Sequence, residues 1–135
     1  RVLCAAPSYL ARRGTPRTPA ELPAHDCLVI KERDHPFGVW RLRAGAQEQS
    51  LKVTGPLSAN NGEMVVQWAV DGCGIALRSR WDVQQHLHAG RLVQLLPEWR
   101  QEANVWAVYP TRLQLSAKVR VCVEFLQAYF RQEWG

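Results

Sequence analysis

The chain has 135 residues, 47% of them hydrophobic, and a formal net charge of +5 from 17 Lys and Arg against 12 Asp and Glu. That length suits the core of one domain, or of one domain and part of another. No apolar run approaches the roughly 18 residues needed to cross a bilayer, and the opening RVLCAAPSYL lacks the layout of a secretory signal, so the expectation is a soluble, cytoplasmic protein without membrane contact. The chain opens on an apolar strand with no initiating Met and is read as a piece of a longer protein. Its basic residues are scattered from Arg1 to Arg131 and form no block of the kind that binds nucleic acid.

In chain order, Arg1 to Ala5 reads as a strand. Pro7 starts a short helix through Arg13 that Gly14 closes. Thr18-Pro19-Ala20-Glu21 combines an N-cap, a proline at N1 and a glutamate at N3, predicting a short helix through Leu22 that Pro23 limits. Cys27 to Ile30 is an apolar run of strand length, and KERDHPFG after it an exposed loop. Val39 to Arg43 alternates apolar and polar, as does Leu51-Lys52-Val53. With AGAQEQ between them, they predict a β-hairpin on the rim of a lobe.

Val53 to Trp81 then reads as strand, polar turn, helix, glycine turn and strand. Asn60 is the expected cap, with Glu63 reaching back to it. Met64, Val65, Trp68 and Ala69 form the apolar stripe, and Gly72 ends the helix in a left-handed turn. Free N–H groups at such a helix start suit a small anionic or polar ligand, and an ordinary packed βαβ unit is the alternative. Ser79 to Asp82 resembles another capping box before a helix ending at Gly90. Leu92 to Leu96 and Val105 to Tyr109 read as strands stopped by Pro97 and Pro110. Ser116 caps a last helix in which Val119, Cys122, Val123, Leu126, Tyr129 and Phe130 recur at spacings of three and four.

Cys4, Cys27, Cys73 and Cys122 stand far apart in apolar segments and read as reduced, buried thiols. His86 and His88 are one residue apart on a helix, which turns them away from each other and disfavours chelation. No metal, cofactor or assembled catalytic set is expected. Strands alternating with helices give an α/β class, with residues 26 to 54 as an inserted strand meander.

The order of LCAAPSYLARRGTP, TPAELPAHDCL, the Trp40 hairpin, GPLSANNGEMVVQWAVDGCGIAL, GRLVQLLPEW, VWAVYP and AKVRVCVEFL resembles the C-terminal effector-binding domain of LysR-type transcriptional regulators, N-terminally truncated. The resemblance implies a periplasmic-binding-protein-like, two-lobed α/β regulatory domain, with one lobe nearly complete and the other represented only by its C-terminal portion. Residues 1–5 would be the first crossover strand (Leu3, Cys4, Ala5) and 6–76 the nearly complete lobe. Residues 77–135 would hold the second crossover (Leu77) and the rest. The winged helix-turn-helix, through which alone DNA would be bound, is absent. A small-molecule effector would bind between the lobes on Ser58, Ala59, Asn60 and Asn61, with Gly72 and Gly74 permitting close approach. Family members often carry an apolar residue and a proline where this chain has Arg78-Ser79, which makes Arg78 a candidate partner for a carboxylate effector. The uncovered apolar face of the last helix implies a homo-oligomer, a dimer or a swapped arrangement, for this chain, and the resemblance implies a tetramer for the full-length regulator. A fragment of a periplasmic-type solute-binding protein is the alternative.

Overall fold

Strand β1 (Val2–Ala5) is buried at every position because it lies inside a sheet covered on both faces. The structure, a computed structural model, describes residues 1–31, 37–101 and 117–134. It divides into two compact units, Arg1–Ala103 and Asn104–Gly135. The elements of the first unit after β1 are α1 (Pro7–Arg13), a 3-10 helix (Pro19–Ala24), β2 (Cys27–Ile30), β3 (Val39–Ala44), β4 (Gln47–Lys52), β5 (Ser58–Ala59), α2 (Gly62–Val70), β6 (Ile75–Arg78), α3 (Arg80–His88) and β7 (Val93–Leu95). The second unit holds α4 (Ala117–Trp134). The expected strand over Val105 to Tyr109, the Ser116 cap and most of the KERDHPFG loop lie outside the described residues.

The sheet order is β5-β2-β6-β1-β7. β2 pairs in parallel with β5 and β6, whereas β1 runs antiparallel to both β6 and β7. Alternation along the strands sorts side chains to two faces. Leu3, Ala5, Cys27, Val29, Ile75 and Leu77 face a core shared with Tyr9, Leu22, Trp40, Leu42 and Trp99. Cys4, Leu28 and Ala76 face the other way, against Val65, Val66 and Ala69 of α2 and Val83 of α3. The apolar stripe of α2 is therefore shifted from the expected one. Val66 is buried while Met64 is exposed, because the buried line runs through 65, 66 and 69 and not through 64.

Local chemistry explains the turns. Cys73 N–H donates to Trp68 O at 2.9 Å and Gly72 N–H to Ala69 O at 3.0 Å, with Gly72 at φ 83°. This paired arrangement satisfies the last helical carbonyls and needs a residue tolerant of positive φ. The 3-10 helix differs from the expected capping box. The Thr18 side chain makes no cap bond, Glu21 accepts from the Arg17 N–H at 2.6 Å, and Pro23 sits inside the helix. Pro23 has no N–H for the Ala20 carbonyl, and the helix ends directly after it, with the His25 N–H donating to Leu22 O at 3.0 Å.

The hairpin is tighter than expected. Ala44 pairs with Gln47, so AGAQEQ is mostly strand around a two-residue turn at Gly45-Ala46. It forms its own two-stranded sheet, and Trp40 and Leu42 join it to the core. Tyr9 is fully buried, and its hydroxyl contacts His25 Nδ1 at 2.8 Å and accepts from the Asp26 N–H at 3.1 Å. Burial raises the Tyr9 hydroxyl above its ordinary pKa, and the bond from Asp26 works in the opposite direction.

Candidate functional site

β2, β5 and β6 are parallel, so their carboxyl ends share one edge of the sheet. In open α/β sheets the crevice outside that edge is where loops and helix N-termini converge on ligands. Here the edge carries Ser58 and Ala59 of β5, the turn Asn60-Asn61, the first residues of α2, and Arg78 at the end of β6. Ser58 and Ala59, expected in a polar turn, form a strand that pairs with Val29 and Ile30.

The cap of α2 is Asn61, not Asn60. Asn61 Oδ1 accepts from Glu63 N–H at 2.9 Å and from Met64 N–H at 3.4 Å, while Asn61 O accepts from Val65 N–H at 3.3 Å. Two adjacent asparagines make the two registers equivalent in sequence, and the backbone decides between them. The cap also engages donors that the sequence left free. At the helix start, the Gly62 N–H remains without an intrahelical acceptor.

Arg78 lies against that helix start. A Cβ placed on Gly62 would stand 2.3 Å from Arg78 Nη2, 2.6 Å from Cζ and 2.8 Å from Nη1, so the guanidinium packs on the bare α-carbon of Gly62. Arg78 Nη2 donates to Asp82 Oδ2 at 2.5 Å, and the two side chains are 15% and 31% exposed. Arg78 Nε is buried with no hydrogen-bond partner. Asp82 stands in the first turn of α3, whose N-cap Ser79 makes no side-chain bond. Its carboxylate turns to Arg78 in place of the expected capping-box role.

A cation pressed on a helix N-terminus is electrostatically unfavourable, because the unpaired N–H groups there carry partial positive charge. Two such termini, of α2 and α3, flank Arg78. Each first turn carries one carboxylate, Glu63 in α2 and Asp82 in α3, and Asp82 is the one paired with the guanidinium.

The structure brings Asn60, Asn61 and Arg78 to one edge and leaves Gly72 and Gly74 at the other end of α2. Those glycines allow chain to approach chain. A Cβ at Gly72 would stand 2.5 Å from Ser8 Oγ, and one at Gly74 would stand 2.4 Å from Asp26 O. The segments around Cys4 and Leu77 are hydrogen-bonded neighbours, with Leu3 opposite Leu77. Burial pushes the Cys4 thiol up to about 12, against a smaller downward pull from Arg78. Cys27 is likewise pushed up to about 12 by burial and by Asp26. Cys73 is half-buried and Cys122 exposed, so the expectation of buried thiols holds for Cys4 and Cys27 and fails for Cys122. A separate concavity of about 360 Å³, lined by Arg80, Gln84, Leu87, His88, Leu92 and Val93 among others, contains none of the expected site residues.

The fold is that of a periplasmic-binding-protein-like α/β regulatory domain, the architecture of its structural neighbours. The chain belongs to the LysR substrate binding domain family, whose match runs over residues 1–131. It is 58% identical over 134 residues to the HTH-type transcriptional regulator DmlR of Escherichia coli (strain K12), covering 99% of this chain and 44% of that protein. It is 55% identical over 135 residues to the HTH-type transcriptional activator TtdR of the same strain, covering 100% of this chain and 44% of that protein. The chain thus spans less than half the length of these curated relatives. Among solved structures, the CrgA regulatory domain from Neisseria meningitidis superposes with a TM-score of 0.70 at 30% identity, covering 99% of this chain and 64% of that one. The regulatory domain of AphB in Vibrio vulnificus superposes with a TM-score of 0.72 at 25% identity, covering 95% and 63%. Among the described residues, no helix is long and apolar enough to cross a membrane.

Two residues of this edge were missed in the sequence. Nothing in the local sequence marks what lies against Gly62, and its missing side chain becomes meaningful only with Arg78 packed on it. Asp82 reads as part of a capping box, and its pairing with Arg78 follows from the turn between β6 and α3, not from helical spacing.

Proposed function

We propose that this chain is the ligand-sensing part of a LysR-type transcriptional regulator, binding a small carboxylate effector at the carboxyl edge. Arg78 takes the carboxylate, while Ser58, Asn60 and Asn61 supply polar contacts and the backbone at Ala59 shapes the floor. Residues 1–5 and the segment around Leu77 are the crossovers. Residues 6–76 form most of one lobe, and the chain from 77 to 135 contributes the second crossover and part of the other. The winged helix-turn-helix that contacts DNA belongs to the longer protein, and effector binding biases its arrangement by differential affinity for two lobe positions. The observation that carries this reading is Arg78, a guanidinium held beside a helix N-terminus with its buried Nε–H lacking an acceptor. A solute-binding-protein fragment is less favoured, since the relatives named above are transcription regulators.

Calorimetric titration with a panel of three- and four-carbon mono- and dicarboxylic acids tests it. At least one acid should bind wild type, and Arg78→Ala should weaken it about tenfold or more, as expected for loss of a partly buried charge-assisted bond. Binding of no acid, or binding indifferent to Arg78→Ala, would sink the assignment.

The same reading includes a homo-oligomer. On α4, Val121, Phe125, Leu126 and Tyr129 are exposed, with Val121 at 65% and Phe125 at 67%. These differ in part from the expected stripe, of which Val119 and Phe130 have side chains outside the described residues. A helix with this much exposed apolar surface favours association. Sedimentation at micromolar concentration should show a dimer that Phe125→Glu dissociates; a monomeric wild type would remove the proposal.

A further inference from the structure

We propose that Asp82 is the resident counter-ion of the effector site. It holds Arg78 while the site is empty and gives the guanidinium up to the effector's carboxylate, and so sets the affinity of the site. This rests on the assignment of Arg78 to effector recognition made above.

Three observations lead to it. First, Arg78 is held by one nitrogen: Nη2 meets Asp82 Oδ2, while the buried Nε–H has no acceptor. A carboxylate binding bidentately engages two guanidinium nitrogens, whereas Asp82 engages Nη2 alone. The pair is thus a partial solution that a second carboxylate can improve upon.

Second, the guanidinium is seated on Gly62, at the positive end of α2, where any Cβ would displace it. Its charge and that helix end repel. Asp82 offsets the repulsion, and an incoming anion would do the same from the open side. Third, Asp82 is four residues from Arg78 on an adjoining helix turn and is 31% exposed. Its carboxylate can therefore turn into water when released. Asp82 and the effector then compete for one cation, and neutralising Asp82 must strengthen anion binding.

Succinate titrated into the full chain provides the test, using wild type, Asp82→Asn, Arg78→Ala and the double variant. Asp82→Asn should bind succinate about tenfold more tightly than wild type, the scale of one removed competing charge. The gain should vanish in the double variant. Asp82→Ser should reproduce the gain, which guards against a folding defect peculiar to Asn, and thermal melts confirm that each variant is folded.

A gain in Asp82→Asn where wild type shows no binding would make Asp82 a lock that the anion does not open, and overturns the exchange of counter-ions. Wild-type binding that depends on Arg78 but does not tighten in Asp82→Asn and Asp82→Ser keeps the effector reading and overturns the counter-ion role. A gain that persists without Arg78, or no binding in any variant, also overturns it.

Discussion

Gly55→Ala is expected to lower the unfolding free energy by about 3 kcal/mol, at the upper end of what overpacking a well-filled site does. The chain leaving the hairpin crosses the start of β2 at this residue. A Cβ there would stand 2.0 Å from the carbonyl oxygen of Cys27 and 2.9 Å from both its carbonyl carbon and its nitrogen. All three contacts are to backbone, so no side chain can rotate away. Nor can Cys27 easily retreat, since its N–H donates to Thr54 O at 3.0 Å and the residue pairs with Ile75 in β6. Urea unfolding measures the effect. Gly90→Asn is the control, because Gly90 has φ 76° and open space around it, and asparagine tolerates that conformation. Equal midpoints for Gly55→Ala and wild type would show that the crossing is looser than described.

Raising the pH from 8 to about 10.5 should remove about 2 kcal/mol of stability for each of Cys4 and Cys27. Both thiols are pushed from 9.0 up to about 12 in the folded chain, first by burial. A folded pKa above the unfolded one means that the stabilising contribution is complete below pH 9. It is lost as the pH rises, because the unfolded thiols ionise while the folded ones do not. The loss continues until the folded thiols ionise near 12. The Tyr9 hydroxyl, also raised by burial, acts in the same direction. The double variant Cys4→Ala, Cys27→Ala should therefore flatten most of the alkaline fall and leave a remnant. A thiol reagent at pH 8 should modify exposed Cys122 at once and reach Cys4 and Cys27 only on unfolding. Prompt labelling of Cys4 would contradict its burial, and an unchanged pH profile in the double variant would contradict the account.

The sequence made the order of elements readable where apolar period and turn chemistry agreed. β1, α1, β2, α2 and β6 fall where Pro7, Gly14 and Gly72 punctuate them, with the cap of α2 one residue later than expected. The departures have local causes. β4 is exposed along its length except for partial cover at Leu51, so its polar residues carry no strand period and read as loop. Asn60 and Asn61 offer the same cap chemistry one residue apart. Met64 stands beside the buried line of α2, and its hydrophobicity cannot reveal which side of that line faces water.

The edge of the sheet was legible in part. Arg78 stood out because it occupies a place where the family resemblance implies an apolar residue. Its seat on Gly62 and its pairing with Asp82 depend on β6 lying beside β2 and on how α2 enters, which no local pattern encodes. Gly72 and Gly74 were noticed for the right property, freedom to approach closely, but what approaches them is Ser8 and Asp26.

The ends of the described part of the first unit meet. The Arg1 ammonium donates to Gln101 O at 2.8 Å, and the Gln101 N–H donates to Arg1 O at 3.3 Å. β1 runs antiparallel to β7 just inside this closure. Tension applied between residues 1 and 101 would therefore load these bonds one after another, as in opening a zip, and not all at once in shear. Mechanically, the ladder between β1 and β7 is the soft direction of the unit, and pulling from this edge should peel it before disturbing the parallel strands beyond β6.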